Sequence, residues 1–398
     1  MPAGRYAPSP SGTLHLGNLR TAILAWLFAR HTGREFLLRI EDLDRVRSGA
    51  EAGQLADLAA IGITWDAPAV RQSERLARYE DTLATLAAPA TGSSTGGLLY
   101  ECFCSRKDIA EATSAPHLPP ATHHTASPDE GPVRRESSRE DTPSTHATPS
   151  ACPPHSMQQD PPRHQNRHPS LVLPPGFYPG TCRNLTESER ERRRATRPAA
   201  LRINAARAAG LPDGQAPVHR VTDRFSGTVE AAVDDFVVRR NDGAYAYNLA
   251  VVVDDLAQGV DQVVRGDDLL SSTPRQDWLA RLLTARTGQQ PPATEYVHVP
   301  LVVNADGQRL AKRDGAVTLA DLAALETPDG GWSPERVRDL LLDSLGVPAG
   351  PLDRALSHFD PDAVPRSPWT PPLPSSSPPP QTPTGPAGTP EEKLRFHR

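Results

Sequence analysis

The chain has 398 residues, a formal net charge of −5 and four cysteines. That balance gives no global electrostatic case for nucleic-acid binding, though local basic patches remain open, and so few cysteines do not suggest a disulfide framework. Residues 106–175 hold 14 prolines and 7 of the 13 histidines, and residues 361–391 hold another 12 prolines, with few aliphatic residues between them. Such segments bury too little apolar surface to offset the entropy of ordering them, so both read as disordered. The N-terminus "MPAGRYAPSPSG" lacks the regions of a secretory signal, and no run of 18 apolar residues is present, so a soluble, cytoplasmic protein is expected.

Arg5–Ala7 reads as a short strand, ended by a turn at Pro8, Pro10 and Gly12. From His15 to Arg30, Leu16, Leu19, Ile23 and Leu27 mark one face of a helix that Gly33 closes. "EFLLRI", 35–40, suits a buried strand, and helical stretches follow near 50–61 and 74–87. Strands alternating with helices point to an α/β fold with a parallel sheet. "YECFCSRK" opens a different unit at Tyr100, and order resumes near "GFYPGTCRNL", 176–185. "ESERERRRATR", 187–197, is a charged helical stretch, equally a solvated face or an RNA contact. "DDFVVRRNDGAYAYNLAVVVDD" reads as two strands joined at Asn241-Asp242-Gly243. "QVVRGDDLLSSTPRQDWLARLL" is a strand end running into a helix, "EYVHVPLVVNADGQRLAKRDGA" a strand and tight turn, and 334–345 a last helix.

Small residues ahead of a helix start let an anion approach backbone N–H groups that carry partial positive charge. His15, at the start of the first helix, can donate to a phosphate, and Gly17 permits a flat ring to lie close. Taken alone, a histidine there is more often structural. Far along the chain, "QRLAKRDGA", 308–316, sets Lys312 and Arg313 on a loop between Gly307 and Gly315. A mobile lysine can follow charge that builds on a polyphosphate.

"HLGN" and "RLAKR" together resemble the His-Ile-Gly-His and Lys-Met-Ser-Lys-Ser motifs of class I aminoacyl-tRNA synthetases. "RYAPSPSGTLHLGNLRTA", "RIEDLDR", "YNLAVVVDD" and "VVRGDDLLSST" are similar, in the same order, to the glutamyl-type members, over roughly 4–105 and 176–325. Two positions depart from the pattern: Asn18 replaces the second histidine, and Ala311 replaces the serine before the loop lysine. The resemblance implies an α/β fold with a Rossmann-like parallel sheet, an inserted zinc-binding subdomain and a short helical C-terminal part. The divisions it implies are 1–101 and 183–300 for the two halves of the catalytic domain and 102–182 for the zinc subdomain, which contains the disordered insert 106–175. The lysine loop and short helices then occupy 301–360, and the disordered proline-rich tail 361–398.

A glutamate pocket must pair a side-chain carboxylate, bind an ammonium and leave the α-carboxylate free to react. Arg5 and Arg265 are the arginines within the motifs, Glu41 is the acid, and Tyr247 can hydrogen-bond from a wall. The residues alone favour an Arg5–Glu41 ion pair between adjacent strands and a packed Tyr247. The resemblance assigns Arg5, Tyr6, Ala7, Pro8, Ser9, Glu41, Tyr247 and Arg265 to the amino acid. It assigns His15, Gly17, Asn18 and Lys312 to ATP, with His15 and Lys312 catalytic and Mg²⁺ bridging phosphate oxygens.

Cys102 and Cys104 form a Cys-x-Cys pair, which on its own is more often two buried thiols than a metal site. One branch of the glutamyl-type family follows such a pair with Tyr-x-x-x-Cys, which here is Tyr178 and Cys182, and the resemblance implies a structural Zn²⁺ on these four residues. Cys152 and histidines of the insert are the substitutes for the fourth ligand. About 50 residues separate Gly315 from the proline-rich tail, room for one or two helices and none for an anticodon reader. With the Tyr-x-x-x-Cys spacing, this resembles the short branch of the family. That branch implies a monomer that activates L-glutamate with ATP without tRNA, then transfers it to the queuosine base in the anticodon loop of tRNA(Asp). A shortened glutamyl-tRNA synthetase charging tRNA(Glu), and an inactive tRNA-binding paralogue suggested by Asn18 and Ala311, are the other readings.

Overall fold

The computed structural model describes residues 1–89, 96–114, 176–308, 317–325 and 331–372. In chain order the first part is β1 (Ala3–Tyr6), α1 (Leu16–His31), β2 (Glu35–Ile40), α2 (Ala50–Ala60), the two-residue β3 (Val70–Arg71) and α3 (Leu76–Ala87). A middle part follows as β4 (Leu99–Cys102), α4 (Arg106–Ser114), α5 (Glu187–Arg194), β5 (Ala200–Ile203), α6 (Ala205–Ala208), β6 (Val218–Asp223), β7 (Gly227–Ala232) and β8 (Val237–Arg239). The chain then returns through α7 (Tyr247–Gln258), β9 (Val260–Gly266), α8 (Thr273–Arg286) and β10 (Glu295–Val299), and closes with α9 (Leu319–Ala323), α10 (Pro334–Asp343) and α11 (Leu352–Leu356).

The main sheet runs β3-β2-β1-β9-β10-β6-β7, parallel except for the β6–β7 hairpin. Its central strands, β1, β2, β9 and β10, are short and largely buried because both faces are covered, while the β6–β7 edge is partly exposed. Helix α1 is buried on nearly every side, from Leu16 to Ala29, between the sheet and the C-terminal helices. Phe28 meets Phe359 edge-on at 5.2 Å. A separate antiparallel sheet, β4-β5-β8, lies beside the cysteines. It takes strands from both sides of the boundaries expected at 101 and 182. No helix among the described residues is long and apolar enough to cross a membrane.

Three expectations change. The turn at Asn241-Asp242-Gly243 forms, with Gly243 at φ 87°, but the strand expected after it shrinks to a single bridge at Tyr245, and the chain enters α7. Val251, Val252 and Val253 favour strands intrinsically; here they are buried among residues of α3 and α8, and that packing outweighs propensity. The disorder expected of the proline-rich segments does not hold at 106–114 or at 361–369. Residues 106–114 form α4, and the rest of the insert lies outside the described residues. In the tail, Val364 is 2 % exposed, and Trp369 exchanges backbone hydrogen bonds with Leu301 and Val303 at 3.1 and 2.9 Å. Two apolar anchors suffice there because proline is tolerated beside an edge pairing. Sequence periodicity also missed the β6–β7 hairpin and the short α11.

Asp254 of α7 has no exposed surface and accepts from Arg75 Nε (2.5 Å), Tyr79 Oη (2.7 Å) and Gln72 Nε2 (3.0 Å). It therefore ties the segment leading into α3 to the helix behind the sheet. Asp254→Ala is expected to lower stability by about 3 kcal/mol or more, because it strands two buried donors and the partly buried Arg75 cation; urea unfolding curves check this.

Candidate active site

β1 hands the chain to β2 on one side, while its other neighbour, β9, leads to β10. This reversal opens a crevice beyond the carboxyl ends of the two strands, where ligands bind in open α/β sheets. The crevice has a volume of about 630 Å³. Every candidate for the amino-acid and nucleotide sites that falls within the described residues lines it, from Arg5 through Asn18 to Glu41, Tyr247 and Arg265. Lys312, Ala311 and Cys152 lie outside the described residues.

At one end is the start of α1. His15 Nδ1 accepts from Gly17 N at 3.1 Å, and His15 N donates to Asn18 Oδ1 at 3.2 Å. Asn18 thus closes a capping box around the helix entrance. A Cβ on Gly17 would meet the His15 ring at 3.0 Å and Val302 at 3.5 Å, so only glycine lets the ring fold down here. Gln54 of α2 donates to the carbonyls of Ser9 and Gly12 at 3.0 and 2.6 Å, pinning the turn from behind. The segment holding Lys312 is anchored at both described ends. Asn304 pairs with Gln308 on one side, and Thr318 bridges His15 on the other, with Leu16 N donating to Val317 O at 3.1 Å.

At the other end the charged residues gather. Arg5 is bound by Asp255 at 3.3 Å, and Asp255 also takes Arg39 at 2.7 Å. Among the described residues Arg5 and Glu41 make no ion pair with each other; the nearest cation to Glu41 is Arg39, at 3.8 Å. Burial raises the Glu41 carboxyl against the pull of Arg39 and Arg5, while Asp255 is held low by those two arginines despite its burial. Tyr247 is 40 % exposed and is not packed away; its hydroxyl lies 3.5 Å from Arg265 Nη1. Tyr6 donates to Asn18 O at 3.2 Å, linking the two ends.

Outside the cleft, the sulfurs of Cys102, Cys104 and Cys182 lie within 4.8 Å of one another and could hold a metal ion. Tyr178 Oη sits 3.3 Å from Cys102 Sγ and 3.7 Å from Cys104 Sγ. The hydrogen bond from Cys182 holds the Cys102 thiol down at about 4, while burial pushes Tyr178 far up.

The family "tRNA synthetases class I (E and Q), catalytic domain" matches residues 3–141 and 144–329, and the chain belongs to it. Within that class it is 50 % identical over 368 residues to the glutamyl-Q tRNA(Asp) synthetase of Nocardia farcinica, covering 92 % of each chain. It is 41 % identical over 350 residues to that of Cutibacterium acnes, covering 87 % of this chain and 76 % of the relative, and 39 % identical over 387 residues to that of Symbiobacterium thermophilum, covering 92 % and 95 %. Among solved structures, a glutamate tRNA ligase from Elizabethkingia meningosepticum in complex with its amino acid is similar at a TM-score of 0.60. At 21 % identity, covering 93 % of this chain and 67 % of that one, it shares the fold.

Sequence reasoning missed the supports of the site. Asp255 sat inside a quoted motif, but nothing local pairs it with Arg5, 250 positions away. Gln54, Asp223 and His298 carry no local signal.

Glu41 supplies a pH test. Its carboxyl titrates higher in the fold than in the unfolded chain. The stability tied to its neutral form is therefore complete below the ordinary glutamate range and lost as pH rises through the raised value. Glu41→Gln removes that loss, so the variant is expected to gain on the wild type between pH 4 and pH 8. Thermal unfolding at both pH values checks the sign.

Proposed function

We propose that the cleft activates L-glutamate with ATP, without tRNA, and passes it to the queuosine base in the anticodon loop of tRNA(Asp). The observation that carries this reading is that one crevice joins a helix start suited to phosphate with a charge set suited to glutamate. Among the described residues lining it, Arg265 is the guanidinium with no carboxylate within ion-pair distance, since Arg5 has Asp255 and Arg45 has Asp44. Glutamate, with one ammonium and two carboxylates, brings one net negative charge to that uncompensated cation. The similarity to glutamyl-Q tRNA(Asp) synthetases over nearly the whole chain supports the acceptor.

In this reading Arg265 and Tyr247 take the side-chain carboxylate, and Glu41 and Ser9 take the ammonium. Arg5 and the Tyr6–Pro8 backbone shape the floor. The free α-carboxylate oxygen attacks the α-phosphorus of ATP, the bond to the bridging oxygen breaks, and pyrophosphate leaves. His15, Asn18 and the α1 N–H groups stabilise the charge at the phosphates, and Gly17 leaves room for the adenine ring. Lys312, by resemblance, adds its ammonium at the phosphates; the chain that follows it returns to His15 through Thr318. Mg²⁺ brought with ATP supplies phosphate charge neutralisation when bound. A hydroxyl of the queuosine ring then attacks the acyl carbon and AMP leaves.

We also propose that Cys102, Cys104, Cys182 and Tyr178 hold a structural Zn²⁺. A tetrahedron with bonds of about 2.3 Å to sulfur and about 2.0 Å to oxygen has edges of about 3.8 Å between sulfurs and about 3.5 Å from sulfur to oxygen. The Cys104–Cys182 separation is 3.5 Å, and the phenol lies 3.3 and 3.7 Å from its two sulfur neighbours, so the donor set fits. When bound, the dication stabilises the deprotonated ligands together.

Pyrophosphate exchange with ATP and glutamate is expected in the absence of tRNA, followed by labelling of queuosine-bearing tRNA(Asp) from radioactive glutamate. Labelling of tRNA(Glu) instead, or no exchange at all, overturns the reading. Lys312→Ala should lower exchange by about 100-fold or more with glutamate affinity unchanged. Metal analysis should find one zinc per chain, lost in Cys104→Ala and kept when residues 115–175 are deleted.

A further inference from the structure

Arg265 has five N–H donors, and its partners divide into two kinds. Behind it, Nε donates to His298 Nε2 at 3.0 Å, Nη1 to Gln276 Oε1 at 2.7 Å and Nη2 to Thr273 Oγ1 at 2.9 Å. Toward the cleft, Nη1 and Nη2 reach only Tyr247 Oη and Leu269 O, each at 3.5 Å. Both of these long partners line the cleft, and His298, Gln276 and Thr273 do not. The three short bonds therefore aim one N–H of each terminal nitrogen outward, which is the fork that meets a carboxylate in bidentate fashion.

The rear partners are uncharged acceptors, so the cation is oriented without being neutralised. His298 can play this part only with Nε2 unprotonated. Its other nitrogen, Nδ1, lies 2.7 Å from Asp223 Oδ2, which also accepts from His298 N at 3.0 Å. Asp223 Oδ1 in turn is held by the N–H groups of Phe225 and Ser226, at 3.0 and 2.8 Å. A carboxylate fixed this way requires the proton on Nδ1 and so leaves Nε2 as an acceptor for Arg265. Neither His298 nor Asp223 has any exposed side-chain surface. Burial further favours the uncharged ring.

We infer that Asp223 and His298 are positioning residues that set the tautomer and orientation by which Arg265 recognises the ligand's side-chain carboxylate. The inference rests on the glutamate reading of the cleft. Asp223, at the end of β6, thereby governs substrate charge selection from a strand that never reaches the site.

The test uses the full chain, with pyrophosphate exchange measured over glutamate and over glutamine. His298→Leu removes the acceptor at similar volume. It is expected to raise the glutamate KM by about 10- to 100-fold, the worth of a hydrogen bond to a charged group, with the ATP KM unchanged. It should also reduce the preference for glutamate over glutamine by about tenfold, because a misaimed guanidinium no longer rewards the negative charge. His298→Gln offers an amide oxygen where Nε2 stood and should restore the glutamate KM to within about threefold of wild type. Asp223→Asn is the second variant. Its oxygen stays with Phe225 and Ser226, its NH₂ faces Nδ1, and the ring must move its proton to Nε2, so it should behave like His298→Leu. A glutamate KM and preference unchanged in folded His298→Leu or Asp223→Asn overturns the inference, as does failure of His298→Gln to rescue. A wild-type chain with no glutamate-dependent exchange overturns the substrate reading, and this inference with it.

Discussion

Arg39 has no exposed surface, and a guanidinium in that position is tolerable only when carboxylates surround it. Asp255, Glu41 and Asp254 do so, at 2.7, 3.8 and 3.9 Å. The architecture follows from meeting that demand. Two of the three acids stand side by side on α7, so α7 is locked across β1 and β2. Asp254 collects Arg75, Tyr79 and Gln72, while Asp255 takes Arg5. Glu41 completes the cage and lines the cleft as well. Arg5, Arg39 and Arg75 against Asp254, Asp255 and Glu41 make a balanced set, and the balance stops short of Arg265.

This division explains why two arginines in family motifs are not equivalent. Arg5 is 4 % exposed and already salt-bridged, so it shapes the floor and contributes a screened field. Arg265 is 5 % exposed and supported only by neutral acceptors, so its charge is left for a ligand. A ligand anion settling there gains a Coulomb interaction in a half-dry cleft, where it is worth more than in water. The carboxylates are engaged by Arg5, Arg39 and Arg75, so that Arg265 stays available.

Where the sequence announced a feature, the signal was local. The periodicity of Leu16, Leu19, Ile23 and Leu27 gave α1, the glycine at position 243 gave its turn, and His15 fell at a helix entrance, which the structure finds capped by His15 and Asn18 together. Where it did not, the determinant was distant. Val251–Val253 look like strand until α3 and α8 are placed against them. The tail looks disordered by its prolines until Leu301 and Val303 offer Trp369 an edge to pair with. His298 and Asp223 stand 75 residues apart and become one unit only because β10 and β6 are neighbours in the sheet. Motif resemblance recovered the cleft-lining residues; it could not recover the shell that aims them.

The cysteine region obeys a different physical rule from the rest of the chain. Its sheet has strands of four, four and three residues, and its apolar cluster is Tyr100, Cys102, Phe103, Tyr178 and Cys182 with a few partners. A core that small cannot offset the ordering entropy of its own loops, and units of this size rely on a staple. Part of the staple is electrostatic: Arg183 binds Asp235 at 2.7 Å, Arg275 binds Asp234 at 2.6 Å, and Arg202 lies 3.6 Å over the Tyr178 ring. Those contacts fix Tyr178 with its hydroxyl among the three sulfurs. A metal bound there would add its free energy directly to the folding of the unit, since the unfolded chain has no such site.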